Sequence, residues 1–255
     1  MLTLEHVSKT YSVGAFGSGS LRAVDDVTFT VEPGEVVALI GESGSGKSTI
    51  GRMILALTPV TEGSITFRDE RVKATKEYYR RAQGVFQDPF SSFNPIFKAD
   101  HVFATVRRSF FPHETNEAWR GRLSRALDAV ALQPDDVLGK FPHQLSGGQL
   151  QRTLVARALL LEIDLLVADE IISMLDASTR IDVLNLLGDL KERGLGIVFV
   201  THDLALGNYI SDTTIILRHG RVVERGATQD VFAHPQDDYT KALLSAVPQL
   251  HRRWQ

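Results

Sequence analysis

GESGSGKST occupies residues 41–49, and the rest of the chain is read outward from it. Val36, Val37, Ala38, Leu39 and Ile40 precede it, an apolar run with the length and β-branched content of a buried strand. IGRMILAL follows and reads as a helix. The spacing of Gly41 from Gly46-Lys47-Ser48, between strand and helix, is the phosphate-binding loop pattern. Its residue types match the chemistry. Glycines let the backbone turn closely around phosphates, so that N–H groups and a helix N-terminus face the anion. Gly41, Ser43, Gly44, Ser45, Gly46, Lys47, Ser48 and Thr49 are the expected nucleotide contacts. Lys47 is placed for the β- and γ-phosphates, and the Ser48 hydroxyl for Mg²⁺. The alternative is a Gly/Ser-rich turn without a ligand. A chance match to the bare pattern in a chain this long is expected at roughly one per cent from average residue usage. The stretch predicts a nucleoside triphosphate site.

The 255 residues suffice for one large α/β domain, or a core with an inserted subdomain. A net charge of −3 gives no bulk attraction to nucleic acid or anionic lipid. The absence of cysteine excludes disulfides, iron–sulfur clusters and thiolate zinc sites in this chain. MLTLEHVSKTY shows no charged-then-apolar signal pattern. The longest apolar candidate for a membrane span is interrupted by Arg157, Glu162 and Asp164. Work at a membrane is therefore expected to need docking to a partner that spans it.

Leu2, Leu4 and His6 alternate with Thr3, Glu5 and Val7, which predicts a first strand. GAFGSGS reads as a loop, VTFTV as a strand, and residues 64–67 and 84–87 as short strands. From Phe90 to Phe141 helical patterns predominate, predicting an all-helical insertion. Seven of the 13 phenylalanines lie between Phe86 and Phe111. Either they fill the core of a small helical subdomain, or Phe90, Phe93 and Phe97 form an exposed docking patch. LSGGQ then opens a long helix, and LLVADE reads as a strand ending in Asp169-Glu170. Asp176 reads as the cap of a helix, with Gly194 just past its end. Residues 197–200 read as a buried strand, His219-Gly220 as a hairpin turn, and residues 240–247 as a closing helix. Strands alternating with helices predict a largely parallel sheet buried on both faces.

Strand ends are where ligands sit in such sheets. Asp169 is thus placed to hold Mg²⁺ through water, and Glu170 to polarise the water attacking the γ-phosphate. In LSGGQ (Leu145, Ser146, Gly147, Gly148, Gln149), two glycines and a serine at a helix start can make a second anion site, although such a stretch taken alone is more often a plain helix-start turn. With this stretch the chain resembles the ATP-binding subunits of ABC transporters, whose defining signature is LSGGQ. The motifs stand here in that family's order, across nearly the whole chain. The resemblance implies a P-loop NTPase core with a mostly parallel sheet, an N-terminal antiparallel β subdomain and an inserted all-helical subdomain. It divides the chain into a nucleotide-binding core (1–87 and 146–226), a helical subdomain (88–145) and a C-terminal tail (227–255).

Further roles follow from the resemblance. Tyr11 would stack on adenine. Gln87, in VFQDP, would touch Mg²⁺ or the attacking water. Asp176 closes the D-loop Ser173-Met174-Leu175-Asp176, and His202 would contact the γ-phosphate. Two ATPase subunits would pack head to tail, with Ser146, Gly147, Gly148 and Gln149 serving the partner's ATP. The Phe-rich segment would form the socket for a permease. The family usually has proline after the catalytic glutamate; here Ile171 stands there, in a turn that proline would stiffen.

VFQDPFSSFNP, FPHQLSGGQLQR, SMLDASTR and the tail FAHPQDDYTKALLSAVP resemble the peptide/nickel/oligosaccharide importer branch. That branch implies a pair of permease subunits, a second ATPase subunit, an extracytoplasmic solute-binding protein, and a peripheral place on the cytoplasmic face of the membrane. The cysteine-containing C-terminal extension of some members is expected to be absent. No residue here chooses among the solutes. A soluble ATPase module acting on the ribosome or nucleic acid is the alternative; those usually carry two cassettes or a long coiled-coil insertion, and neither is seen. A regulatory module without turnover is opposed by Lys47, Asp169, Glu170 and His202.

Overall fold

A computed structural model describes residues 1–13, 19–173 and 175–246. The loop expected around residue 14 lies largely outside them, as do Met174 and the end of the tail. In chain order the elements are β1 (Leu2–Val13), β2 (Gly19–Val31), β3 (Val36–Ile40), α1 (Lys47–Ile54), β4 (Glu62–Phe67), β5 (Glu70–Arg71), α2 (Lys76–Arg81), β6 (Ala82–Val85), α3 (His101–Phe110), α4 (Asn116–Ala129) and α5 (Pro134–Val137). They continue with α6 (Gly147–Leu159), β7 (Leu165–Asp169), α7 (Ala177–Glu192), β8 (Gly196–Thr201), α8 (Leu204–Ile210), β9 (Thr213–Arg218), β10 (Arg221–Ala227), α9 (Thr228–Ala233) and α10 (Asp238–Ser245). Two compact units result: Met1–Lys73 with Gly196–Gln255, and Ala74–Leu195.

The first unit holds an antiparallel sheet in the order β2-β1-β4-β5. Leu2 and Leu4 are buried as their alternation predicts, but His6 does not follow them. The β1–β2 register shifts between Leu4 and Val7, and His6 takes a left-handed backbone with φ 50°. Its N–H donates to Thr28 Oγ1 at 2.9 Å and its ring lies 2.8 Å from Asp26. This bulge turns His6 outward and gives the inward place to Val7. The same unit holds β10, β9, β3 and β8 as neighbouring strands. β3 runs parallel to both β8 and β9. VVALI of β3 and GIVFVT of β8 are buried at every residue, the mark of strands covered on both faces. The expected hairpin joins β9 to β10 antiparallel. The expected tail helix is α10, which begins earlier than residue 240 because Asp237 caps it by accepting from the Tyr239 N–H. Tyr239, Leu243 and Leu244 of α10 pack against a core that includes Ala38, Ile40 and Ile216.

The second unit contains the parallel pair β6–β7 and the helices α2 to α7. Thr115 caps α4 and Asp176 caps α7, each by a side-chain oxygen accepting a backbone N–H of the first turn. The phenylalanine-rich segment divides. Phe103 and Phe111 are buried in the helical core. Phe90 and Phe97 are 51% and 46% exposed, whereas Phe93 is 6% exposed and belongs to the core. The expected patch therefore loses Phe93. The fold is the α/β fold expected: parallel strands, an antiparallel N-terminal sheet and a set of helices.

Candidate functional site

In the first unit, β3 delivers the chain into the phosphate-binding loop and α1 takes it out, with Gly46 as the helix cap. Gly46 has φ 103°, and a β-carbon there would lie 2.6 Å from the Ala23 carbonyl oxygen. Only glycine fits. The loop is tied at its centre as well: the Gly220 N–H donates to the Ser45 carbonyl at 3.0 Å, and the Asp25 N–H to the Gly220 carbonyl at 2.8 Å. Lys47 is 4% exposed. Its ammonium donates to the carbonyls of Gly41 (2.7 Å) and Glu42 (2.8 Å), inside the curve of the loop. No acidic residue stands in the first turn of α1. A helix N-terminus with a buried ammonium beside it is an anion site. Ser43 and Gly44 are exposed, Ser45 is buried, and Ser48 and Thr49 are half-buried in the first turn of α1.

β8 pairs with β3 so that Thr201 lies opposite Ile40. Gly41 and His202 therefore leave neighbouring strands at the same end. His202 is exposed, and Asp203 after it caps α8 through the N–H groups of Ala205 and Leu206. Tyr11 lies opposite Leu21 on β2, the strand whose Ala23 backs Gly46. Its ring is half-buried, with the Lys9 ammonium 5.0 Å from the ring centre.

In the second unit, Val85 of β6 lies opposite Ala168 of β7 in parallel register. Gln87 and Glu170, each two residues further on, thus emerge together at one end. Asp169 is 7% exposed at the end of β7. Glu170 has φ 51°, a backbone state uncommon for a side chain larger than glycine's and often held at functional sites. The Ser173 N–H (3.1 Å) and hydroxyl (2.9 Å) both donate to the Glu170 carbonyl and fix this turn. Ile171, in the place of proline, is 1% exposed and anchors the turn by burial rather than by a ring.

LSGGQ lies at the start of α6. Ser146 Oγ accepts from the Gln149 N–H at 3.2 Å, and Gln149 Oε1 accepts from the Ser146 N–H at 3.0 Å, a reciprocal capping box. Gly147 and Gly148 follow the cap as the first helical residues. Gly148 presses on Thr179 of α7, and Gly147 approaches Leu175. The signature stretch and the residues around Asp176 thus meet. Asp176 accepts from the Ser178 hydroxyl at 2.6 Å and from the N–H and hydroxyl of Thr179 at 3.0 and 2.8 Å. The Ser178 bond first, then the two from Thr179, hold its carboxyl well below the usual aspartate range.

Two features are not announced by any motif reading. Arg157 of α6 donates to the Gly84 carbonyl at 3.1 Å and reaches Gln83 Oε1 at 3.5 Å, tying the signature helix to the strand before Gln87. Burial pushes its guanidinium pKa down from the ordinary value, and arginine stays charged. Gly220 braces the loop, although its sequence signal is only that of a hairpin turn. The second unit also carries a cavity of about 610 Å³ lined by Ile96, Phe97, His101, Arg107, Trp119 and Leu138 among others. Ile96 is 77% exposed at its rim, and the Phe97 ring stacks on His101 with centres 4.4 Å apart.

A family model described as ABC transporter matches residues 24–173, which include the phosphate-binding loop, Gln87, LSGGQ and Asp169-Glu170. The chain belongs to the ABC transporter family. It is 41% identical to a protein of Brucella ovis named for ATP binding in peptide import, over 97% of this chain and 78% of that one. It is 40% identical to the oligopeptide transport ATP-binding protein OppF of Streptococcus mutans, over 98% of this chain and 82% of that one. Among solved structures it resembles the dimeric post-hydrolysis state of the ATP-binding cassette MJ0796 bound to ADP and Pi. That match has a TM-score of 0.78 and 29% identity, and covers 89% of this chain and 99% of the other. In this ABC family member, no helix among the described residues is long and apolar enough to cross a membrane.

Proposed function

We propose that this chain is the ATP-hydrolysing subunit of a peptide importer. What supports it most is that one chain, about 40% identical to OppF, carries both a phosphate loop holding a buried Lys47 and a strand end bearing Asp169 and Glu170. In this reading Lys47 and the loop N–H groups hold the β- and γ-phosphates, and Tyr11 stacks on the adenine. Glu170 polarises the attacking water, and His202 steadies the γ-phosphate. Ser48, Asp169 and Gln87 offer a hydroxyl, a carboxylate and an amide oxygen, the hard oxygen donors that Mg²⁺ takes. Bound there, the ion would neutralise charge on the transferring phosphoryl group.

Ser146, Gly147, Gly148, Gln149 and Asp176 serve the nucleotide of a second ATPase subunit, which closes on this one when ATP is bound. Functionally the chain divides into a core (1–87 and 146–226), a helical part (88–145) and a tail (227–255). The cavity beside Phe97 and Ile96 receives an apolar cytoplasmic element of a permease, with Phe90 close by in sequence. The subunit then sits peripherally on the cytoplasmic face, and a solute-binding protein acts with the permease from outside. The relatives' names favour peptide over nickel or oligosaccharide.

The test is purification of the tagged chain from detergent-solubilised native membranes, together with oligopeptide uptake in a deletion strain. Co-purified permeases and loss of uptake are expected. Recovery alone, on ribosomes or on nucleic acid, with uptake intact, would overturn the proposal.

A further inference from the structure

The phosphate-binding loop is held from outside by a residue far along the chain. The Glu42 N–H, second in the loop, donates to the Tyr239 hydroxyl at 3.3 Å. The carbonyl of the same residue accepts from the Lys47 ammonium at 2.8 Å and from the Ser45 N–H at 3.2 Å. Glu42 therefore stands between Tyr239 and Lys47, with its two backbone polar groups engaged on either side.

Tyr239 is itself built in place. Its ring carries the Arg218 guanidinium at 4.7 Å and packs on the core around Ile40 and Ile216. Asp237 caps its helix through the Tyr239 N–H at 2.8 Å. The Glu224 carboxylate of β10 accepts the N–H groups of Gln236 (2.7 Å) and Asp237 (3.1 Å), which pins the entry to α10. A hydroxyl held on a supported ring, at the start of a pinned helix, makes a fixed acceptor rather than a passing surface contact.

We propose that Tyr239 is a positioning residue for ATP binding: α10 sets the Glu42 peptide, and through its carbonyl the place from which Lys47 meets the nucleotide. The inference rests on reading residues 41–49 as the nucleotide site. Removing the hydroxyl alone lets the Glu42 peptide relax and disorders the parking place of Lys47 before ATP arrives. Ground-state and transition-state binding suffer alike, so the effect falls on KM and not on kcat.

The experiment is steady-state ATPase kinetics of the full chain with Tyr239→Phe, which keeps the ring, its packing and the Arg218 contact. Melting of the nucleotide-free protein is followed in parallel. KM for ATP is expected to rise roughly three- to tenfold, the reach of one hydrogen bond, with kcat unchanged and the melting temperature lowered by no more than the loss of one hydrogen bond accounts for. An unchanged KM overturns the proposal, whatever the melting temperature does. A raised KM with kcat lowered in proportion also overturns it, because the substitution then damages the site as a whole rather than the resting place of Lys47. Lys47→Ala keeps the two readings apart. If that variant binds ATP as the parent does, the assignment of the loop itself has failed; if it loses ATP while Tyr239→Phe keeps the parent KM, only the role of Tyr239 has.

Discussion

Gly148 and Thr179 stand so close that a β-carbon on Gly148 would lie 2.4 Å from Thr179 Cγ2. The threonine cannot turn away cheaply, because its hydroxyl and N–H are both given to Asp176. Contact between the starts of α6 and α7 is thus set by the absence of one side chain. Gly148→Ala is expected to lower stability by about 1–3 kcal/mol through overpacking and to reduce ATPase activity. Thr179→Ser removes the methyl and keeps the hydroxyl. The double variant should recover most of the melting temperature, and failure to recover would show that the strain lies elsewhere.

On the proposed roles, Glu170 and Lys47 should separate chemistry from binding. Glu170→Gln keeps the size and backbone of the turn but cannot accept a proton from water, so hydrolysis should fall by about 10²–10⁴-fold while ATP affinity persists. Lys47→Ala should lose affinity itself. Equilibrium binding of a fluorescent ATP analogue beside phosphate release distinguishes them; equal binding loss in both variants would argue against these roles.

The phenylalanines give a split prediction. Phe93→Ala should cost about 3–5 kcal/mol, because it empties a buried site. Phe90→Ala and Phe97→Ala sit on residues about half exposed, and stability should change much less, by roughly 0.5 kcal/mol at Phe90 and up to about 1.5 kcal/mol at Phe97, whose ring stacks on His101. Those two should instead weaken recovery of the permease in pull-downs from membranes. If association survives both, the cavity beside Phe97 is not the permease socket.

Acid should loosen the start of α7. The Asp176 carboxyl is depressed by the hydroxyl of Ser178 and the two donors of Thr179. A carboxylate with a lowered folded-state pKa contributes stability that is complete above its unfolded value of about 4 and is lost as pH falls toward the folded value. Asn caps a helix about as well as Asp but does not titrate. The parent should therefore exceed Asp176→Asn in urea midpoint at pH 7, and the gap should close below about pH 4. A gap that stays constant with pH would remove the carboxylate from the account.

Much of this was legible because motif and period coincided. β3 and β8 are continuous apolar runs, and the loop between β3 and α1 could be placed to the residue. LSGGQ announced the cap of α6, and Asp176 that of α7. The misses have physical causes. His6 fits a two-residue period, but the bulge beside it is held by hydrogen bonds that His6 makes to Thr28 and Asp26, 22 and 20 residues away in the chain. Phe90, Phe93 and Phe97 are chemically identical, and which one turns inward is decided by the packing around them. α2, α8 and α9 are 6, 7 and 6 residues long, shorter than the window of roughly 11–18 residues over which a helical period can be recognised. Tyr239 and Arg157 act through backbone atoms of distant segments, a relation that leaves no mark in spacing.

Arg157 has one more consequence. Because a buried guanidinium on α6 grips the carbonyl of Gly84, three residues before Gln87, the serine of the signature and the glutamine ride on one stiff part. Any shift of α6 relative to β6 must stretch or break that bond first. A compound wedged between α6 and β6 would have to displace Arg157 from the Gly84 carbonyl before it could part the two.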